Sequence, residues 1–501
     1  MQLSTAVGLE APLVSVEVHI SRGMPRLSIV GLPETEVKES KDRVRSAILN
    51  SQYDFPRRRI TINLAPADLP KEGGRFDLPI ALGILAASDQ LSLAKISTYE
   101  FAGELALSGQ LRAIKGALPF AIGTRKAQRN LIIPADNAFE AAMPQDNTVY
   151  AARTLREVCL HLENTKLLAP YIFTLPNTIE ANTNNIDIAE IQGQPYAKRA
   201  LEIAAAGRHS MLLIGPPGTG KTMLASRLPT IMPTLTTEEA LEVAAIYSLS
   251  QAAISPLKWQ QRPFRTPHHT ASAIAMVGGG SYPKPGEISL AHHGVLFLDE
   301  LPEYDRHALE VLREPMEAGC IVISRATRKA VFPAKFQLIA AMNPCPCGQL
   351  GNPSRQCRCS GEQISRYQAR ISSPLLDRID MHIEVPALNP ELLTDYSTNN
   401  NETSGAIKQR VQAAMALQQQ RSKKANSLLS NSEIKIFCQL DAESKTIIKL
   451  AIEKLNLSAR GFYRILKVAR TIADLAAAEN IAAEHLKEAL GFRSRLNTTA
   501  F

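Results

Sequence analysis

The sequence predicts a multidomain α/β protein whose C-terminal part is helical. Its 501 residues exceed what one hydrophobic core usually holds, so two or three domains are expected. The first 150 residues alternate short strands and helices, and from Asp187 to about Val385 apolar strands alternate with helices, which is typical of a parallel sheet with crossovers. After Gly405 the chain is rich in helix-forming residues and its only glycines are Gly461 and Gly491, which predicts a helical bundle.

The first elements of the chain are short strands and helices. The segments LVSVEVHI and RLSIVG alternate in polarity as half-buried strands do, and RRRITINLA predicts a further strand. The segment ETEVKESKDRVRSAILNS has apolar residues on one helical face, whereas DLPIALGILAA is apolar all round and predicts a buried helix.

Two polar breaks divide the chain. Residues 171–186 contain one proline and several asparagines without periodicity and are interpreted as a linker. A second break ends near Gly405. We therefore expect domains over residues 1–170, 187–390 and 391–501.

Composition excludes several classes of protein. Apolar residues make up 45% of the chain and charged residues 21%, which argues against a disordered, collagen-like or small disulfide-rich protein. The net charge of +8 favours a polyanionic partner such as nucleic acid. The start of the chain lacks a basic segment followed by an apolar run, and no stretch has the length of a membrane span. We therefore expect no signal peptide, no membrane association and a cytoplasmic location.

A phosphate-binding loop is the most specific motif. The pattern G-x-x-x-x-G-K-T stands between the apolar strand SMLLIG and the helix MLASRL. Its glycines let backbone N–H groups surround phosphate oxygens at a helix N-terminus. The lysine supplies charge to the outer phosphates and the threonine hydroxyl a ligand for Mg²⁺. The predicted ATP-binding residues are Gly215, Pro216, Pro217, Gly218, Thr219, Gly220, Lys221 and Thr222.

Two later strands end in polar residues. The apolar segment Val295 to Leu298 is followed by Asp299 and Glu300, which suit a magnesium ligand and a base that polarises the attacking water. The strand FQLIAAMN ends in Asn343, whose amide could orient that water. A turn-forming role for Asn343 remains open.

Four of the seven cysteines lie close together: Cys345, Cys347, Cys357 and Cys359. In a reducing compartment such a cluster favours a metal site over disulfides. Four thiolates suit structural Zn²⁺. Redox-sensitive thiols and ordinary loop residues remain alternatives.

The order of these motifs, followed by Leu376-Asp377-Arg378-Ile379-Asp380 and a helical bundle, resembles the AAA+ ATPases. The segments GEISLAHHGVLFLDELPEY and FPAKFQLIAAMNPCPCG resemble the magnesium-chelatase-like group. GQPYAKRALEIAAAGRH, GPPGTGKTMLA and SARGFYRILKVARTIADL resemble its ComM/YifB branch of competence-related proteins. The resemblance implies a hexameric ATPase with ATP and Mg²⁺ as cofactors, and a helical lid at the C-terminus.

Two arginines receive roles from this resemblance. It implies that Arg378 is an arginine finger supplied to a neighbouring subunit and that Arg460 is the second sensor arginine. Guanidinium groups stabilise the charge that develops when the γ-phosphate is transferred. The alternatives are an ion pair of Arg378 with Asp377 or Asp380, and a solvated helix position for Arg460.

The N-terminal domain resembles the proteolytic domain of Lon-type proteases, which use a Ser nucleophile and a Lys base. Aligning KEGGRFD with the nucleophile loop puts Arg75 at the serine position, and aligning LRAIKGALPF puts Leu118 at the lysine position. Lys115 is three residues out of register. The resemblance therefore implies a retained α+β fold, of the type called S5 domain 2-like, without peptidase activity. The same degenerate fold occurs in RadA-type recombination helicases, which favours a DNA-related role by analogy.

Two insertions are candidate DNA-binding loops. The segment CIVISRATRKAVFPAKF predicts a hairpin with Arg325, Arg328 and Lys329 near its tip. The glycine-rich segment before the DE strand carries Tyr282 and Lys284. Basic side chains would pair with phosphates and Tyr282 could stack on a base. Solvated loops remain an alternative. The motif Arg57–Arg59 could also contact DNA or simply be a charged strand edge, and His268-His269 is left unassigned.

The leading hypothesis is an ATP-dependent hexameric helicase acting on single-stranded and branched DNA. It would drive branch migration during homologous recombination of incoming DNA in natural transformation. The alternative is a chelatase-type motor that remodels a protein partner. An ATP-dependent peptidase is disfavoured because both peptidase positions are replaced.

Overall fold

The computed structural model describes most of the chain. The described residues are 2–4, 12–32, 35–67, 69, 71, 73–92, 96–174, 186–250, 259–280, 283–325, 328–352, 355–387, 401–455 and 457–493. They form two compact units. The first comprises Met1–Asn177 and Ala240–Trp259, and the second comprises Thr178–Glu239 and Gln260–Phe501.

The first unit contains a mixed sheet of seven strands in the order β3-β4-β2-β1-β5-β8-β9. Strands β1 and β4 run antiparallel to β2, whereas the β3–β4, β1–β5, β5–β8 and β8–β9 pairs are parallel. Its strands are β1 (Gln2–Ser4), β2 (Leu13–Ser21), β3 (Arg26–Val30), β4 (Arg59–Ala65), β5 (Tyr99–Phe101), β8 (Asn130–Pro134) and β9 (Val149–Ala152), and a separate pair is β6 (Glu104–Leu105) and β7 (Leu111–Arg112).

Helices of this unit pack against the sheet. They are α1 (Thr35–Asn50), α2 (Asp77–Ala87), α3 (Ala117–Lys126), α4 (Ala138–Ala142) and α5 (Leu155–Leu162). The predicted all-apolar helix is α2, in which every residue from Asp77 to Ala86 is buried. Asp77 is the one acid in this buried run, and Arg43 of α1 donates Nε to its Oδ2 at 2.7 Å.

The second unit contains a parallel sheet of five strands in the order β11-β14-β17-β10-β18. Three of its strands, β10, β14 and β17, are buried along their whole length, which explains their continuous apolar sequences. The strands are β10 (Met211–Ile214), β11 (Phe264–Arg265), β14 (Val295–Leu298), β17 (Gln337–Met342) and β18 (Met381–Glu384). Because all five are parallel, the residues that follow β10, β14 and β17 lie at one edge of the sheet.

Two hairpins project from this core: β12 (Gly278–Gly279) with β13 (Lys284–Pro285), and β15 (Cys320–Arg325) with β16 (Arg328–Pro333). The helices of the core are α6 (Pro195–Gly207), α7 (Lys221–Ile231), α9 (Ala273–Val277), α10 (Glu287–Leu290), α11 (Arg306–Glu310), α12 (Arg313–Ala318), α13 (Gly361–Gln368) and α14 (Ser373–Leu376). Helix α8 (Thr237–Leu249) begins in this unit, but most of its residues are grouped with the first.

The C-terminal part is helical, as the sequence predicts. Its helices are α15 (Ser404–Ser422), α16 (Asn431–Phe437), α17 (Ala442–Leu455), α18 (Ala459–Leu475) and α19 (Ala483–Gly491). The side chains of Thr403, Ser430 and Ser458 cap three of them by accepting backbone N–H groups of the first turn. Among the described residues, no helix has the length and apolar character that crossing a membrane requires.

Part of the segment 187–390, which the sequence assigns to one domain, is grouped with the first unit. Helix α8 begins in the second unit, but from Ala240 onward its residues belong to the first. There, Gly116 donates its backbone N–H to the Ser248 carbonyl at 3.1 Å, and the rings of Phe173 and Trp259 lie 5.9 Å apart. Burial of apolar residues of α8 explains this pairing. Residues 175–185, the centre of the expected linker, lie outside the described part.

Candidate functional site

The phosphate-binding loop connects β10 to α7, as the motif predicts. Gly218 and Gly220 have φ values of 81° and 83°, which side-chain-bearing residues rarely adopt. Gly215 is required for another reason, because a Cβ at this position would lie 2.1 Å from the carbonyl oxygen of Val385. The loop is further closed by Thr219, whose hydroxyl donates to the Pro216 carbonyl at 3.0 Å.

Lys221 is the first residue of α7 and its ammonium group points back into the loop. Its Nζ donates to the carbonyl oxygens of Gly215 at 2.7 Å and Pro216 at 2.8 Å, and to Oδ1 of Asn343 at 3.2 Å. Burial lowers the pKa of Lys221, while the nearby carboxylates act in the opposite direction. The lysine is thus held in position by acceptors that a phosphate could replace.

Thr222 at the start of α7 and Asp299 directly after β14 meet at the same edge of the sheet. The Thr222 hydroxyl donates to Oδ2 of Asp299 at 2.6 Å, and Oδ1 of Asp299 accepts the backbone N–H of Glu300 at 2.9 Å. With Asn343 and Met223 these residues line a cavity of about 430 Å³ in front of the loop. A hydroxyl beside a carboxylate is a donor set that suits Mg²⁺.

His269 is a residue of this site that the sequence left unassigned. Its Nδ1 lies 3.4 Å from Oε2 of Glu300, whose backbone has a φ of 52°. The rings of His268 and His269 are 4.1 Å apart, and the Tyr304 hydroxyl donates to the Pro267 carbonyl at 2.6 Å, which holds the loop after β11 in place. The only sequence signal was the histidine pair itself.

Arg378 and Arg460 share one carboxylate. A terminal nitrogen of Arg378 lies 2.8 Å from Oε1 of Glu317, and one of Arg460 lies 3.0 Å from the same oxygen. Arg378 also donates to the Pro374 carbonyl at 2.8 Å. Arg378 thus forms an ion pair with Glu317, an acid that the sequence analysis did not name, and its role as a finger stays a prediction. Nothing in the sequence near Glu317, at the end of α12, indicated this contact.

Asp380 faces a different set of partners. It pairs with Arg464 of α18 and accepts the backbone N–H of Ser210 at 3.0 Å, and His209 Nδ1 lies 3.4 Å from its Oδ2. Burial would raise the pKa of Asp380, but Arg464 and His209 outweigh it and hold that pKa below its usual value. Because Arg464 is one helical turn from Arg460, α18 is attached to the core at two neighbouring points.

The four clustered cysteines meet in space. Their sulfur atoms all lie within 4.8 Å of one another. The Sγ atoms of Cys345, Cys347 and Cys357 are 3.4 to 3.7 Å apart. Four thiolates around one Zn²⁺ would place their sulfurs about 3.8 Å apart, from a Zn–S distance of about 2.3 Å. Backbone N–H groups, that of Arg358 first, lower the pKa of the Cys347 thiol to about 6, whereas the pKa values of the other three thiols are raised.

Comparison with known proteins decides the family. Models described as "Magnesium chelatase, subunit ChlI" and its C-terminal part match residues 187–393 and 401–493, and one described as "Subunit ChlI of Mg-chelatase" matches residues 16–137. The chain is 50% identical to the competence protein ComM of Haemophilus influenzae over 98% of this chain and 96% of that protein. It is 51% identical to YifB of Salmonella typhimurium and 50% identical to YifB of Escherichia coli, with the same coverage.

The chain belongs to the ComM/YifB family. The resemblance found in the sequence is thereby confirmed. The second unit of this ComM/YifB protein is a magnesium-chelatase-like AAA+ domain with C-terminal helices, a family that indicates ATPase activity with ATP and Mg²⁺.

The candidate DNA-binding loops of this ComM/YifB protein are only partly described. The hairpin β15–β16 buries Ile321, Ile323 and Phe332 on one face, while Val322 and Val331 on the other face are exposed. In the strand register of this hairpin, Arg325 stands opposite Arg328 next to the tip, and Ser324 stands opposite Lys329. Lys284 is exposed on β13. Tyr282 lies outside the described residues.

Arg75 and Leu118, the residues that the sequence aligns with a Lon-type nucleophile and base, lie in the first unit. The guanidinium of Arg75 lies 5.5 Å from the centre of the Phe120 ring, and Leu118 is fully buried in α3. Lys115 is exposed, just before that helix.

Proposed function

We propose that this protein is an ATP-dependent hexameric DNA helicase that drives branch migration during homologous recombination of incoming DNA in natural transformation. The observation that carries the ATPase part is the convergence of Lys221, Thr222, Asp299 and Asn343 around one cavity. The DNA part is supported by the 50% identity to a competence protein, ComM, and by the basic balance of the chain. Its place of action would be the cytoplasm.

Each residue of the cavity has a proposed role. The backbone N–H groups of the loop and the ammonium of Lys221 bind the phosphates. Thr222 and Asp299 hold Mg²⁺, which would neutralise charge on the outer phosphates. Glu300 accepts a proton from the attacking water, and Asn343 orients that water.

Arg378 and Arg460 are proposed to stabilise the charge that develops on the γ-phosphate. Their sharing of one Glu317 oxygen supports a common task, because the two guanidinium groups point at the same spot. A finger supplied in trans requires a ring, since each active site is then completed by a neighbouring subunit.

The tip of hairpin β15–β16 is proposed to bind the DNA backbone through Arg325, Arg328 and Lys329, with Tyr282 and Lys284 on the second loop. The N-terminal unit is proposed to keep a Lon-like fold without peptidase activity, because Arg75 and Leu118 cannot act as nucleophile and base. The four cysteines are proposed to hold one structural Zn²⁺, supported by sulfur separations close to those of a tetrahedral site.

The decisive test is branch migration on labelled four-way, forked and D-loop DNA with and without ATP. Replacing Arg325, Arg328 and Lys329 with Ala should weaken DNA binding about equally across sequences and flatten its salt dependence. A matched control removes three exposed lysines of α17, Lys445, Lys449 and Lys454, with the same change in charge. If both triple variants bind and migrate DNA like wild type, the hairpin is only a solvated loop.

A chelatase-type motor that remodels a protein partner is the second candidate, because all three matching family models are described as magnesium-chelatase subunits. It predicts ATPase activity that no DNA substrate stimulates and no strand displacement. Branch migration that requires ATP would exclude it as the main activity.

A further inference from the structure

The four-cysteine loop lies directly beside the phosphate-binding loop. Strand β17 ends at Met342, Asn343 follows, and Cys345 comes two residues later. Asn343 accepts a hydrogen bond from Lys221 at 3.2 Å. Pro344 lies between Asn343 and Cys345, and its carbonyl accepts a hydrogen bond from Nε2 of Gln368 in α13 at 3.1 Å. The path from the cysteines to the ATP-binding lysine is therefore three residues long and anchored at both ends.

A second contact joins the two loops through Gly348. This residue closes a tight turn, donating its N–H to the Cys345 carbonyl at 2.9 Å, and has a φ of 73°. A Cβ at Gly348 would lie 2.7 Å from Cδ of Pro217 and 3.7 Å from Cγ of Asn343. The proline ring is stiff and belongs to the phosphate-binding loop, so the backbone at Gly348 packs closely against that loop.

The cysteines stand at the two ends of the segment that makes these contacts. Cys345 and Cys347 follow β17, and Cys357 and Cys359 precede Ser360, which caps α13. A metal ion bound by all four would close this segment into a loop and restrict its conformations. Without the metal, nothing joins the two cysteine pairs, and the segment that carries Gly348 has more conformations available.

We propose that metal occupancy of the four-cysteine site controls the affinity of the phosphate-binding loop for nucleotide. The metal acts as a brace: it holds Gly348 against Pro217 and keeps Asn343 in reach of Lys221. The inference rests on the proposed Zn²⁺ site and on the proposed ATP site, and goes beyond both by coupling them. Because such coupling is reciprocal, bound nucleotide strengthens metal binding by the same factor.

The first experiment uses the full chain with Zn²⁺ as the metal. Zinc is quantified by elemental analysis, removed with a chelator under reducing conditions, and the Kd of a fluorescent ADP analogue with Mg²⁺ is measured before and after. We expect nucleotide binding to weaken about tenfold, the effect of losing one hydrogen bond to a charged group, and to recover with one equivalent of Zn²⁺. Saturating ADP should reduce zinc transfer to a chromogenic chelator by the same factor.

The second experiment keeps the metal and disturbs only the contact. Gly348→Ala should weaken ADP binding about tenfold with zinc still bound at one per chain. Gly351→Ala is the matched control: Gly351 has a φ of 74°, and a Cβ there would meet no atom within 4 Å. Both variants carry the same backbone strain, so a difference between them reports the contact with Pro217.

The outcomes separate the proposals. A zinc content near zero overturns the brace together with the zinc site, and a zinc-loaded chain that binds no nucleotide overturns it together with the ATP site. Zinc at one per chain with equal ADP affinity in the loaded chain, the metal-free chain and both glycine variants overturns the brace alone. A metal-free chain that aggregates leaves the comparison of Gly348→Ala with Gly351→Ala to decide.

Discussion

His269 should act as a positioning residue for Glu300, the proposed catalytic base. The Nδ1 to Oε2 distance of 3.4 Å is longer than a strong charged hydrogen bond, and the side chains of His269 and Glu300 are 35% and 57% exposed. Such a contact contributes about 0.5–1.5 kcal/mol, which corresponds to about a two- to tenfold change in rate. His269→Ala should therefore lower the kcat of ATP hydrolysis by that factor and leave ADP affinity unchanged.

Two substitutions distinguish the ring nitrogen involved. An Asn side chain places its amide nitrogen at the same bond distance from the backbone as Nδ1 of His269, whereas Gln extends one bond further. His269→Asn should restore most of the lost kcat, and His269→Gln should not. The assay is steady-state ATPase activity at saturating ATP, with the Kd of a fluorescent ADP analogue measured in parallel.

His268 supplies the control. Its ring is tilted by 34° against that of His269 and its Nδ1 lies 2.9 Å from the Thr270 hydroxyl, but the ring makes no described contact with Glu300. His268→Ala should keep kcat within about twofold of wild type. Equal losses in His268→Ala and His269→Ala would show that loop packing, not the contact with Glu300, carries the effect. A wild-type rate in His269→Ala would refute the assignment.

Three further predictions concern the same unit. Lys221→Ala should abolish nucleotide binding, whereas Glu300→Gln should bind ATP but hydrolyse it very slowly, as measured by ADP-analogue binding and phosphate release. Mixing Arg378→Ala chains with Lys221→Ala chains should recover part of the ATPase rate, because some interfaces then pair an intact finger with an intact loop; a mixture that stays inactive despite co-assembly contradicts a finger in trans. Burial lowers the pKa of His382 to about 3, below its usual value of about 6.5, so the unfolded chain takes up a proton that the fold does not, and stability is lost as pH falls below 6.5. The free energy of unfolding should fall by about 2 kcal/mol by pH 5. His382→Asn should make this fall smaller, as measured by urea unfolding at pH 7 and pH 5.

Much of the second unit was predictable because its signals are local. The phosphate-binding loop needs glycine at positions of positive φ and a lysine at the start of a helix, and both requirements are met within eight residues. The ends of β14 and β17 were predictable as neighbours of the loop because parallel strands bring their carboxyl ends to one edge. The cysteine cluster was also predictable, because its four members lie within one short segment of the sequence.

Contacts between distant segments were decided only by the tertiary structure. Glu317 lies near the end of α12, and nothing in the neighbouring sequence indicates that one of its oxygens contacts both Arg378 and Arg460. His269 follows a two-residue strand, and its approach to Glu300 depends on the order of β11 and β14 in the sheet. In both cases the partners come from elements that are separated along the chain, so no residue spacing encodes the contact.

The sequence by itself determined the family, the parallel core, the helical C-terminal part and the residues available for phosphate and metal binding. Only the tertiary structure decided that α8 is grouped with the first unit from Ala240 onward and that Gly348 lies against Pro217. The physical reason is that motifs record which backbone conformations and chemical groups a site requires. Packing between loops depends on how whole elements meet, which a single sequence does not state.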